Sequence, residues 1–303
     1  MKFITFKNES SAKGKNSGYR IGVLSTNDVI IDVTTLISND DLNVLDLLDC
    51  FDIESGFLEK VKSATASENK CDFPVVNRES VRITAPIPMP GKIICVGLNY
   101  RNHAIESKME IPKSPVIFSK FSTSVIGSNE AVIIPENSKQ VDFEAELAVV
   151  IGRKAKNVKK ADAMYHVFGY ANFNDVSARD LQFADGQWQR GKSCDTFAPF
   201  GEFIVTKDEI ENPHKLQIEF RLNGAILQNS NTEELIFTIP DLIEFISQSI
   251  TLEPGDIIAT GTPPGVGFAR KPPVFLQNGD VMTVEIEGLG TLTNRVETEQ
   301  IYV

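Results

Sequence analysis

The chain has 303 residues, 42% of them hydrophobic and 23% charged. That fits one large globular domain or a small one joined to a large one, and excludes disordered and fibrous architectures. Its 30 Lys plus Arg against 41 Asp plus Glu give a formal charge of −11, which argues against nucleic acid as a partner and leaves small metabolites open. No apolar run approaches the roughly 18 residues of a membrane span, so no membrane partner is expected. Cys50, Cys71, Cys95 and Cys194 are irregularly spaced and read as free thiols in a reducing compartment. Lys2 to Lys7 alternates like a strand rather than an amphipathic presequence, which favours the cytoplasm, with the mitochondrial matrix as the alternative.

In chain order, short strands are expected at Phe3 to Phe6, Arg20 to Leu24 and Val29 to Asp32, then a helix around Leu42 to Cys50. Ala85-Pro86-Ile87-Pro88-Met89-Pro90-Gly91 is extended and turn-rich because each proline pushes its predecessor out of the α region, and it marks a boundary near residue 85. Beyond it strands dominate: Ile93 to Val96, Val116 to Phe118, Val132 to Pro135, Val141 to Ile151, Leu216 to Leu222, Asp256 to Ala259 and Val281 to Ile286. One helix is predicted from Thr238 to Ser249, opened by a Thr238/Asp241 capping box, with Leu242, Phe245, Ile246 and Ser249 on one face. Asn223-Gly224, Pro254-Gly255-Asp256 and Asn278-Gly279-Asp280 punctuate the strands as turns. The expectation is a β-rich α+β fold.

Val141-Asp142-Phe143-Glu144-Ala145-Glu146-Leu147 alternates apolar and acidic residues, so a strand would line Asp142, Glu144 and Glu146 along one face, about 7 Å apart at each step. A solvated face is the ordinary meaning of such a pattern. Here, however, the strand runs on into the apolar Leu147-Ala148-Val149-Val150-Ile151, where acids need a counter-charge. With few Lys or Arg nearby, a divalent cation would supply it. Asp175 lies in Asn174-Asp175-Val176-Ser177 ahead of a stretch from Ala178, where it or Ser177 could instead cap a helix. If Asp175 joins Glu144 and Glu146, the all-oxygen ligand set suits Mg²⁺ or Mn²⁺ and disfavours Zn²⁺. Spacing alone leaves both readings open.

His103 and Glu106, in Gly97-Leu98-Asn99-Tyr100-Arg101-Asn102-His103-Ala104-Ile105-Glu106, would lie at i and i+3 of a helix. There a carboxylate can hold the imidazole as a general base, although a surface pair is the commoner meaning of the spacing. His166 and His214 look structural. Lys192 follows a polar loop containing Trp188, and its Gly-Lys-Ser triplet lacks the earlier glycine of a phosphate loop. It could offset a substrate carboxylate or be an ordinary lysine. The loop Gly261-Thr262-Pro263-Pro264-Gly265-Val266-Gly267 offers backbone amides and Thr262 to an anion, or is a rigid turn.

Together VGLNYRNHAIE (96–106), PVIFSK (115–120), VDFEAELAVVIG (141–152), NDVSARD (174–180), GKS (191–193) and PGDIIATGTPPGVG (254–267) resemble the fumarylacetoacetate hydrolase family, in the family's order and over about 200 residues. VGFARKPPVF (266–275), with the N-terminal piece more loosely, is similar to the family's domain-containing protein 2 branch. The resemblance implies a mixed β-sandwich or β-roll catalytic domain over 86–303 with a small N-terminal α+β domain over 1–85, usually in a homodimer. It also implies Mg²⁺ or Mn²⁺ on Glu144, Glu146 and Asp175, a lid helix carrying a His103–Glu106 dyad, and Lys192 in the site. Arg179, Gln182 and Thr262 match positions near the substrate. The expected substrate is a small 2-oxo acid reacting through a metal-stabilised enolate. Tautomerisation of oxaloacetate is the leading reading. Hydrolysis of an acylpyruvate or fumarylpyruvate, or decarboxylation of oxaloacetate, is the runner-up, and a non-catalytic, metal-stabilised binding protein the third.

Overall fold

A computed structural model describes residues 1–8, 18–25, 27–66 and 73–299. Two β-sheets carry the fold. The larger runs Val75–Asn77, Val29–Asp32, Arg20–Leu24, Lys2–Asn8, Ile204–Thr206, Val167–Asn174, Ala145–Ile151, Ile257–Ala259, Ile93–Gly97 and Val116–Lys120, with Val81–Ile83 also paired to Lys2–Asn8. Among the described residues only Ile257–Ala259 and Ile93–Gly97 pair in parallel within it. The smaller runs Ala225–Asn231, Gln217–Leu222, Val281–Ile286, Thr291–Thr298 and Val132–Ile134. The two pack face to face as a sandwich: Leu147, Val149, Ile218, Phe220 and Val284 share one buried cluster, and Phe143 stacks on Phe220 at 4.0 Å between ring centroids. The N-terminal strands extend the larger sheet through Lys2–Asn8 against Ile204–Thr206.

Among the described residues six α-helices decorate the sheets: α1 (Val44–Asp49), α2 (Phe57–Ala66), α3 (Arg101–Glu106), α4 (Arg179–Gln182), α5 (Gln189–Lys192) and α6 (Ile239–Ser249). The predicted helix around Leu42 begins later, because Asn43 caps it through Leu45 and Asp46 N–H. The Thr238/Asp241 capping box opens α6 as expected. Its buried face is Leu242, Ile243, Ile246 and Ser247, while Ser249 is exposed, which corrects the predicted stripe. Asn223-Gly224 forms a tight hairpin corner with both residues at positive φ, 51° and 82°. Among the described residues no helix is long and apolar enough to cross a membrane. Cys50, Cys95 and Cys194 are free thiols, and Cys71 lies outside the described residues.

One correction shapes the site. Val141 to Ile151 is not one strand: Val141–Asp142 pairs with Ser177–Ala178, and Ala145–Ile151 joins the large sheet. At the break Glu144 N–H donates to Asn174 Oδ1 and Glu144 O accepts from Asp175 N–H. Asp142 is thereby turned out of the row expected from strict alternation.

Candidate metal centre

Strand register explains how acids 31 positions apart meet. Ala145 pairs with Asn174 and Glu146 with Phe173, so Asp175, one residue past the strand end, falls opposite Glu144. Glu144 and Glu146 share a face by the period of two. One carboxylate oxygen from each of Glu144, Glu146 and Asp175 lies within 4.8 Å of the others, and all three residues are buried. The capping alternative does not hold: α4 has Ala178 as its N-cap, without a side-chain bond from Asp175 or Ser177.

Basic residues are not scarce around these acids, because remote segments bring in three buried cations, Lys120, Arg179 and Lys192. Lys192 Nζ, at the end of α5, donates to Glu144 Oε2 and Asp175 Oδ2, both at 2.7 Å. Arg179 Nε donates to Asp142 Oδ2 at 2.9 Å, and its Nη2 lies 2.6 Å from Glu144 Oε1. Lys120, which the sequence reading passed over, donates to Asp175 Oδ1 at 2.6 Å and to Val176 O at 3.0 Å. A signal for it existed: alternation along Val116–Lys120 puts Lys120 on the same face as Phe118. Close packing of α5 on α4 requires Gly191, where a Cβ would meet Gln182 N at 2.5 Å.

These cations serve the acids unequally. Burial pushes the Glu144 carboxyl up, but Lys192 and then Arg179 outweigh it and hold the group down at about 2. Glu146 is pushed well above the ordinary carboxylate range by burial and then by Asp175 and Glu144. Its one hydrogen bond among the described residues comes from Gly261 N–H at 2.9 Å. Lys192 is desolvated, yet Asp175 and Glu144 raise it and keep it charged. A buried carboxylate lacking a cation of its own, beside two more hard oxygen donors, fits Mg²⁺ or Mn²⁺.

The Gly261–Gly267 loop does bind anions, and they are the protein's own. Gly261 N–H holds Glu146. Gly265 N–H reaches both Glu106 oxygens at 3.0 and 2.9 Å, and Gly267 N–H holds Asp142 Oδ1 at 2.7 Å. Gly265 has φ 107°, and a Cβ there would meet Leu227 O at 2.1 Å. Asp142, absent from the metal cluster, also accepts from Phe268 N–H. It therefore fixes the loop and Arg179 together.

Helix α3 brings His103 to the cavity, with Nδ1 2.9 Å from Glu106 Oε1. Asn99 anchors the turn before it, donating to Phe237 O and Thr260 O and accepting from Phe237 N–H. His103, Glu144, Glu146, Arg179, Gln182, Lys192 and Thr262 all line one cavity, so the predicted site residues converge there, with Asp175 and Glu106 directly behind. Thr262 is less available than expected: its hydroxyl donates to Ala145 O and accepts from Gln228 Nε2. Gln182 Oε1 accepts from Arg179 Nη1. His166 and His214 sit elsewhere, against Arg153 O and Ile239 N–H.

Residues 92–297 match the family described as Fumarylacetoacetate (FAA) hydrolase C-terminal. "Oxaloacetate tautomerase Fahd2a, mitochondrial" of Rattus norvegicus is 50% identical over 244 residues, 79% of this chain and 78% of the relative. "Fumarylacetoacetate hydrolase domain-containing protein 2 homolog" of Dictyostelium discoideum is 52% identical over 72% of this chain and 75% of its own. Among solved structures, maleylpyruvate hydrolase from Sphingobium sp. SYK-6, in complex with manganese (II) ion and pyruvate, superposes with a TM-score of 0.80. It is 30% identical, over 99% of this chain and all of that one. The chain belongs to the fumarylacetoacetate hydrolase family.

Proposed function

We propose that the protein is a divalent-metal-dependent isomerase acting on a small 2-oxo dicarboxylic acid, and that its reaction is keto–enol tautomerisation of oxaloacetate. What carries this reading is the convergence of three buried carboxylates beside His103–Glu106 in a chain half identical to proteins named oxaloacetate tautomerase. Glu144, Glu146 and Asp175 would hold Mg²⁺ or Mn²⁺, which would supply charge to stabilise negative charge developing on the 2-oxo oxygen of the substrate. Glu106, fixed by Gly265 N–H, holds His103 Nδ1, so Nε2 is the nitrogen that exchanges a proton. In ketonisation the enol O–H proton leaves and C3 gains one, with His103 as carrier. Lys192, Arg179 and Gln182 face the 2-oxo acid end of the substrate, the two cations toward its carboxylate and Gln182 as an orienting amide. Four buried acids, Asp142, Glu144, Glu146 and Asp175, stand against three buried cations, and a divalent ion turns the balance positive, which suits a dianion.

A second reading, hydrolytic cleavage of an acylpyruvate-type substrate, draws support from the maleylpyruvate hydrolase neighbour. The same dyad would then activate water. Loss of enol absorbance on adding the Mg²⁺-loaded protein to enol-oxaloacetate tests the first reading; cleavage of fumarylpyruvate without enol-specific acceleration would replace it with the second. We also propose a small domain over 1–85 beside the catalytic one, and a homodimer, which light scattering in solution would test. Mitochondrial rather than cytoplasmic residence is favoured by the relatives' names, which agrees with the matrix alternative.

A further inference from the structure

The cavity holds more than a polar floor. Phe118 and Trp188 form an edge-to-face pair at 5.4 Å, and Phe183 and Phe268 a second at 5.9 Å; all four rings line it. Each pair adjoins one cation of the floor: Lys192 Nζ lies 5.0 Å from the Phe118 centroid and the Arg179 guanidinium 4.5 Å from that of Phe268. Trp188 is seated firmly, since its ring lies against Gly97, where a Cβ would stand 2.5 Å from Cζ3. Phe183 and Met109 are 55% and 50% exposed, large apolar groups at the rim of a concave site.

Arg179 and Lys192 are the only Lys or Arg lining this cavity among the described residues, and both already hold carboxylates. A 2-oxo acid whose chelating end occupies the floor places its distal group among the rings. A second carboxylate there loses water without meeting a cation of its own, whereas a flat apolar group gains edge and face contacts. The enol of a 3-aryl-2-oxo acid is such a group, because conjugation keeps ring and enol coplanar.

We propose that this aromatic-walled outer cavity binds aryl groups, so that the protein also tautomerises enols of 3-aryl-2-oxo acids, of which phenylpyruvate is the simplest. The inference rests on the tautomerase reading and extends it to acids with one carboxylate. The step is an isomerisation: the enol O–H proton is lost, C3 gains a proton, and no oxidant or co-substrate takes part.

The test combines binding and turnover on the full-length, Mg²⁺-loaded protein. Oxamate and N-phenyloxamate share a non-enolisable 2-oxo acid head and differ by the ring. Calorimetry is expected to give N-phenyloxamate at least a tenfold lower Kd, with the difference shrinking in Phe183→Ala, an exposed site where folding is not at stake, and in Trp188→Leu. Enol-phenylpyruvate is expected to ketonise faster with enzyme than without. If enol-oxaloacetate is turned over while N-phenyloxamate binds no tighter than oxamate, or enol-phenylpyruvate is not accelerated, this inference falls and the tautomerase reading stands. If neither enol is accelerated, both fall.

Discussion

Lys120 Nζ donates to Asp175 Oδ1 across 2.6 Å with both side chains wholly buried, while Lys192 takes the other oxygen at 2.7 Å. Removing one partner of a buried pair strands the other, at a cost of about 3–5 kcal/mol. Lys120→Met should therefore destabilise the metal-free protein by about that much. Mg²⁺ should restore part of the loss, because it supplies charge to the same carboxylate. Denaturant unfolding with and without Mg²⁺ checks this: the metal-induced gain should be larger in the variant than in wild type, and an equal gain would remove Lys120 from the metal centre.

Glu144 and Glu146 should respond oppositely to amidation. Glu144→Gln takes the partner from Lys192 and Arg179 and should lower metal-free stability by about 3–5 kcal/mol. Glu146 is raised above its ordinary value of 4.5, so its protonated form favours folding below that pH and the benefit disappears as pH rises through the higher folded value. Glu146→Gln should thus leave the metal-free protein as stable as wild type at low pH and more stable at neutral pH, yet abolish Mg²⁺ binding. Melting curves and metal titrations of both variants read this out; a Glu146→Gln protein that still binds Mg²⁺ at wild-type affinity would contradict it.

Gly265 ties the loop to the dyad. Gly265→Ala forces a Cβ toward Leu227 O and displaces the N–H that holds Glu106. Because small displacements of a proton-transfer group cost about 100-fold in rate, kcat should fall by that order while the metal Kd stays within about threefold. Steady-state kinetics with metal titration separates the two effects; an unchanged kcat would show that Glu106 needs no such support.

His214 offers a pH signature remote from the metal. Its Nε2 accepts from Ile239 N–H at the start of α6, at 3.1 Å, and burial lowers its pKa from 6.5 although Asp241 opposes the shift. A lowered folded value means that the contribution to stability is intact above about 6.5 and is lost as pH falls through the folded value. With Mg²⁺ bound, so that Glu146 stays ionised throughout, unfolding free energies from pH 7.5 to 5 should decline in wild type. The decline should be smaller in His214→Gln, and identical slopes would refute the assignment.

What was legible in the sequence was periodicity and local chemistry. The period of two that puts Glu144 and Glu146 on one face, the i, i+3 spacing of His103 and Glu106 and the Thr238/Asp241 box are all local patterns, and each corresponds to observed geometry. The partner of Glu144 in Asp175 depends on the register of Ala145–Ile151 against Val167–Asn174, which local patterns do not encode; the family resemblance supplied it. Lys120 and the second role of Asp142 escaped for the same reason: their partners lie 55 and 37 residues away. The break at Phe143–Glu144 escaped too, because an alternating pattern continues through it although the backbone hydrogen bonds change partner.

The most direct test is a crystal of the protein grown with Mn²⁺ and examined by anomalous diffraction. One strong peak is expected, enclosed by Glu144, Glu146 and Asp175, with the Lys192 ammonium no longer bridging two of them. Absence of a peak there at saturating Mn²⁺, or an ion bound only elsewhere, would contradict the assignment of these three side chains as the metal site.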